Sequence, residues 1–300
     1  MNKSFWVSRS SWMKCLLLVC SAAVASTAMA EPDPVAQLLE KHASLKEQLR
    51  NNQFKRPLVM HSAESRDGVK GDIYAVVDHP FAVASAGLKS ADNWCDVMIL
   101  HINTKYCHAV AEPSGTTLRV YIGRKTPEEL ADAERVVFNY SVPAATPEYF
   151  EIKLNADEGP PGSSDYRVRL QAVALPNNKT FLHLTYSYSI SFSGRLATQT
   201  YLATIGTGKV GFTVTGKQAD GQPQYVGGMR GIVERNTMRY YLAIDTFLGT
   251  ANAPPAARLE QRLQGWFTAV GRYPQQLHEM DRKEYLEMKR AEHLRQQKLH

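Results

Sequence analysis

Few residues in this chain have the type and spacing to do chemistry. The stretch "CDVMILHINTKYCH" brings two thiols and two imidazoles close together, at Cys95, His101, Cys107 and His108. It lacks the C-x-x-C knuckle that presents two thiolates to one metal, and a strand would turn these side chains to different faces. No metal is expected. A Cys95–Cys107 disulfide is the simpler chemistry, with two free thiols as the alternative, and it would stabilise the fold by about 3 kcal/mol on the chain-entropy model. "ATIGTGKV", Ala203 to Val210, has Ala where a phosphate loop needs its first Gly and Val where it needs a magnesium-binding hydroxyl. It reads instead as a helix end leading into a strand. Neither a G-x-S-x-G elbow nor an H-E-x-x-H pair occurs. His101, His108 and His183 are expected on strands. Glu234, Arg235, Arg239 and Asp245 are spaced as ion pairs on a solvated helix face. No catalytic residue and no cofactor are assigned.

The elements that would position a site are clearer. "LTYSYSISFSG" puts Leu184, Tyr186, Tyr188, Ile190 and Phe192 on one side of a strand and Thr185, Ser187, Ser189, Ser191 and Ser193 on the other. A first strand is expected in "GVKGDIYAVVDHP", then a helix over 81–94, then about six strand-like runs. The runs begin with Cys95–Val110 and include Leu118/Val120/Ile122, Val136/Phe138/Tyr140 and Phe150/Ile152/Leu154. The short turns "EPSGT", "VPAATP", "DEGPPGSSD" and "PNNK" favour an antiparallel meander with one apolar face. Residues 31–56 read as an N-terminal amphipathic helix with Asp33 as N-cap and Pro34 at N1. Beyond Gly194 the pattern changes to a short helix, a strand pair around Asp220-Gly221 and long helices. One helix carries Leu259, Leu263, Trp266, Phe267 and Val270 on a single stripe, and Pro274 restarts the last one.

Composition and address narrow the class. With 44% apolar and 21% charged residues among 300, there is material for a core and no sign of wholesale disorder. Lys3, Arg9 and Lys14, the apolar run Cys15–Ser26 and the small residues of "AMA" make residues 1–30 a secretory signal peptide, cleaved between Ala30 and Glu31. The apolar run falls short of the roughly 20 residues that a spanning helix needs. A lipoprotein reading at Cys20 meets a bulky Val19. Export to the periplasm or beyond is the expectation. Cleavage leaves about +3 of the formal +6 charge, too little to argue for nucleic acid. The excess gathers in the basic C-terminal helix, whose two readings are a solvated face and peripheral contact with an anionic membrane.

The order strand, helix, antiparallel strands, long C-terminal helix resembles the helix-grip fold of the START-like, polyketide cyclase-like superfamily. The residues that carry it are "GDIYAVVDHPFAVASAGLKSADNWCDV" and "RLQGWFTAVGRYP". The resemblance implies an α+β fold. A curved antiparallel sheet of about seven strands would wrap the C-terminal helix in a single domain over 57–300, with residues 194–300 a helical extension. It also implies a sheet–helix cavity for a hydrophobic small molecule or lipid, lined by Trp94, Phe138, Tyr140, Tyr186, Tyr188, Phe192 and Trp266. Gly265 and Gly271 would leave room beside Trp266. Two other functions fit the same fold. One is a cyclase- or hydrolase-type enzyme with His183, Arg169 or Arg119 turned inward. The other is a cell-envelope interaction protein with a dry core.

Overall fold

Alternation builds the sheet, and the side chains on the two parities decide which face the helices cover. The structure, a computed structural model, describes residues 33–204 and 206–299, which form one compact unit. The expected signal segment and its Ala30/Glu31 junction lie outside the described residues. Two short helices come first, α1 (Pro34–Ser44) and α2 (Lys46–Arg50), with the Asp33 carboxylate accepting from the Val35 N–H at 3.0 Å as an N-cap should. Next come β1 (Leu58–Glu64), β2 (Gly68–Val77), α3 (Phe81–Leu88) and α4 (Ala91–Met98). The meander follows: β3 (Thr104–Glu112), β4 (Gly115–Ile122), β5 (Glu134–Ala145), β6 (Tyr149–Glu158), β7 (Ser163–Leu175) and β8 (Lys179–Ile190). The chain continues with α5 (Phe192–Ala203), the hairpin β9 (Val214–Lys217) and β10 (Pro223–Tyr225), and α6 (Gly228–Gly249). It closes with α7 (Pro255–Val270), α8 (Pro274–Leu277) and α9 (Arg282–Lys298).

The main sheet is fully antiparallel, in the order β1-β2-β8-β7-β6-β5-β4-β3, with Gly71 opposite Tyr186 and Val168 opposite Tyr186 on the other side. The fold is α+β, an eight-stranded sheet closed on long helices in a helix-grip arrangement. It has one strand more than the meander suggests, because β1 adds an edge beside β2. Along β8, Leu184, Tyr186, Tyr188 and Ile190 are buried, while Thr185, Ser187 and Ser189 are half-buried on the opposite face.

The gripped helix is α6, not the stripe of α7 that the sequence favours. Fifteen of the 22 residues of α6 are buried, and it packs on β1, β2 and β8. Its approach is close enough that a Cβ at Gly71 would fall 2.3 Å from Thr237 Oγ1, so glycine is required where β2 meets the helix. Glu234, Arg235 and Arg239, expected on a solvated face, are buried with it. The sequence reads a helix here with Met238, Tyr241, Leu242, Asp245 and Leu248 on one side, but not the burial of its polar side as well. α7 stacks behind α6, and a Cβ at Gly265 would lie 3.1 Å from Thr246 Cγ2. Gly265 thus admits the close approach of a neighbouring helix.

Three further expectations change. Residues 81–98 form two helices broken at Lys89-Ser90, so Cys95 is helical and His101 lies in the turn before β3. The disulfide is formed nonetheless, joining α4 to β3 with the Cα atoms of Cys95 and Cys107 5.1 Å apart. Phe192 leaves the strand: Ser191 Oγ accepts from the Gly194 N–H as the N-cap of α5, and the Phe192 ring is 85% exposed. The N-terminal helices cover the outer face of the sheet, where Leu38, Leu45 and Leu49 pack with Tyr149, Val173 and Phe181. No helix among the described residues is long and apolar enough to cross a membrane.

Candidate ligand-binding site

The alternation of β8 and β7 turns a row of tyrosines toward α6. Tyr166 stacks on Tyr188 with ring centroids 5.1 Å apart, Tyr186 lies 5.7 Å from Tyr188, and Tyr240 of α6 closes on Tyr186 at 5.3 Å. Phe138 meets Tyr166 edge-on at 6.5 Å. The row continues past Tyr240 to the His101 imidazole, stacked on it at 4.7 Å. Burial pushes the hydroxyl pKa values of Tyr186, Tyr188 and Tyr240 well above the ordinary range, so all three are neutral donors. Tyr140 shares this face on β5, and its hydroxyl is buried without a hydrogen-bond partner.

A cluster of cations lies beside the far end of the row. Glu279, in the break between α8 and α9, receives Arg239 Nη2 at 2.7 Å and Lys125 Nζ at 2.8 Å on one carboxylate oxygen. Its other oxygen receives Lys209 Nζ at 2.7 Å. Burial alone would raise the Glu279 carboxyl, but Arg239, Lys125 and Lys209 outweigh it and hold it down to about 2. Arg235, one turn before Arg239 on α6, donates to the Val210 carbonyl at 3.2 Å. Burial and the adjacent Arg239 push its pKa down to about 10. Lys125 falls to about 8, by burial against the attraction of Glu279, with Arg239 and Lys209 adding to the drop.

Two buried donors here have no acceptor. Arg239 is 2% exposed and its Nε–H has no partner. His101 is 4% exposed, and its Nδ1 accepts from the Asn103 N–H at 3.2 Å. Burial first, then Arg239, Lys289 and Lys125, depress its pKa well below the ordinary value, so the ring is neutral. The accepting nitrogen carries no proton, which puts the single N–H on Nε2, and that atom also has no partner. Buried polar groups are nearly always satisfied, and each exception calls for an explanation.

Of the residues that the sequence proposes as lining, Phe138, Tyr140, Tyr186 and Tyr188 share this inner face. Trp94 and Trp266 are buried but spoken for. The Trp94 indole N–H donates to the Leu88 carbonyl at 2.7 Å, pinning α4 to the end of α3. Trp266 donates to the Arg239 carbonyl at 3.2 Å and stacks on Tyr285 at 4.9 Å. Tyr186 meets Tyr240, not Trp266. Phe192 lies outside the row altogether. Sequence reasoning passed over Tyr166, although Tyr166/Val168/Leu170 alternate as cleanly as their neighbours. It also passed over Tyr240, Lys125 and Glu279, for which no local pattern exists.

The side chains that an enzyme reading would turn inward face the other way. His183 Nε2 lies 2.9 Å from Asp72 Oδ1, on the outer face, with Tyr74 stacked on the ring at 4.1 Å. Burial would raise the Asp72 carboxyl, but His183, Thr185 and Lys70 hold it at about 2. Arg169 donates to Glu151 at 2.7 Å and Arg119 to Glu112 at 3.0 Å. These are structural pairs across the sheet. Among the described residues, no group of three or more His, Cys, Asp or Glu side chains is placed to hold a metal ion.

No protein-family model matches the chain, and no curated protein matches it. Several solved structures are similar to it in fold. The Zhui aromatase/cyclase from Streptomyces sp. R1128 is 14% identical, with 66% of this chain and 98% of that one aligned at a TM-score of 0.35. Human StAR-related lipid transfer protein 5 is 13% identical over 52% of this chain and 83% of its own, at 0.29. A START superfamily protein from Mycobacterium smegmatis is 12% identical over 50% and 89%, at 0.31.

Proposed function

We propose that this is an exported protein that binds an amphipathic, mainly apolar molecule such as a lipid between the inner face of the sheet and α6. One observation carries the reading: an aromatic row that ends at buried donors with no protein acceptor. In a core built only for stability, each such donor would cost roughly 1–3 kcal/mol with nothing to offset it. A ligand with an apolar body and a polar end supplies both missing partners. Burying its apolar surface would contribute about 25 cal/mol per Å², and the donors at Arg239 and His101 would orient the polar end. The three side chains that an enzyme reading would use, His183, Arg169 and Arg119, are engaged on the outer face. The signal segment and the disulfide fit the periplasm or the exterior, where thiols oxidise.

A second reading rests on α5. Phe192 is 85% exposed and Leu196, one turn on, is 56% exposed, which suits an envelope protein docking on a partner. Membrane contact through α9 finds less support: Lys289 is buried, Arg290 pairs with Glu260 at 2.6 Å, and the Arg295 guanidinium is directed at the Glu128 carbonyl.

Titration with the neutral apolar probe 1-N-phenylnaphthylamine separates the two. Ligand binding predicts saturable fluorescence enhancement at one site, reversed by a total lipid extract. A linear, unsaturable response would leave only the docking reading.

A further inference from the structure

We infer that the bound molecule carries an acidic head group, a carboxylate or phosphate monoester, received by Arg239 Nε–H and His101 Nε2–H within the Arg235, Lys125 and Lys209 field. The inference deepens the reading above and rests on it.

The polarity of the site is one-sided. Three cations, Lys125, Lys209 and Arg239, pair with one carboxylate, Glu279, and a fourth, Arg235, lies within its field without contacting it. The side chains that face them from other elements are His101, neutral and proton-bearing on Nε2, and the phenols Tyr188 and Tyr201. Desolvated charge of one sign is costly unless an opposite charge offsets it. Burial and mutual repulsion already push Arg235 and Lys125 toward losing their protons. An anion bound here would relieve that repulsion while accepting from the two orphan donors. Both orphans are donors and neither is an acceptor; a neutral hydroxyl or carbonyl oxygen could accept from both but would leave the excess charge uncompensated. The ring contacts from Tyr166 through Tyr188, Tyr186 and Tyr240 to His101 mark the line along which the apolar body would have to insert.

The test compares cis-parinaric acid with its methyl ester by fluorescence at pH 7, in wild type, Arg235→Gln and Lys125→Gln. Circular dichroism establishes that each variant is folded, and Lys125, at the rim of the cluster, remains informative if Arg235→Gln does not fold. The inference predicts that wild type prefers acid over ester by about tenfold or more, as hydrogen bonds to a charged group would give. Each variant should cut that preference severalfold. Lysophosphatidic acid should compete with the acid, whereas millimolar inorganic phosphate should not. Equal binding of acid and ester would overturn the acidic head group while leaving apolar binding intact. Binding of neither would overturn the proposed function and this inference with it. Full displacement by inorganic phosphate would mark a free-anion site and overturn the head-group assignment.

Discussion

Glu279 is the single residue on which the cation cluster depends. Three nitrogens converge on its two oxygens within 2.8 Å, and removing one partner from such a buried set leaves charges without compensation. Glu279→Gln should therefore destabilise the protein by about 3–5 kcal/mol in urea titration. A change under 1 kcal/mol would mean that solvent already screens the cluster. The pH profile follows from the same groups. Glu279 and Asp72 are held at about 2, below ordinary values of 4.5 and 3.8, so their contribution is full above about pH 5 and is lost as pH falls toward 2. Lys125 and Lys289 give a slope of the same sign at alkaline pH. Burial puts both at about 8 against an ordinary 10.5, so the folded chain binds fewer protons than the unfolded one between these values. Stability should rise from pH 8 toward 10.5 on their account. Urea midpoints across pH 2–10 would check both slopes, and Glu279→Gln should flatten the acid one. A flat acid limb in wild type would contradict the account.

Among the elements, α6 carries most of the architecture. Its contact with β2 leaves no space for a side chain at Gly71, so Gly71→Ala should cost about 1–3 kcal/mol by overpacking. Adding Thr237→Ala, which removes the clashing oxygen, should recover part of the loss. Additive penalties in the double variant would show that the two elements do not meet as described. The sheet was legible in the sequence because its inner face alternates with period two, from Leu118 and Val136 through Ile152 to Tyr186. The gripped helix was legible only in part. The sequence reads a helix here with Met238, Tyr241, Leu242 and Leu248 on one side, but Glu234, Arg235 and Arg239 read as solvent-facing, and all seven are buried. Their partners, Phe212 and Thr213 N–H groups for Glu234 and Glu279 for Arg239, lie far off in sequence. The stripe of α7 looked stronger because one side of that helix does meet solvent. Tyr186 and Tyr188 were placed correctly by parity alone. Phe192 was not, because Ser191 caps a helix where the alternation of types runs on.

For the whole molecule, one sheet is used on both faces. The outer face is closed by α1 and α2 over Phe181 and Tyr149 and cross-linked by pairs such as His183–Asp72. The inner face holds the core, and the tyrosine row is part of it. That division lets a rigid scaffold carry unpaired donors at one place, as a preorganised binding site requires. The most direct test of ligand binding is native mass spectrometry of the protein purified without detergent. The account predicts one stoichiometric adduct in the lipid mass range, released on denaturation as an acid. A bare mass, still bare after incubation with a total lipid extract, would contradict it.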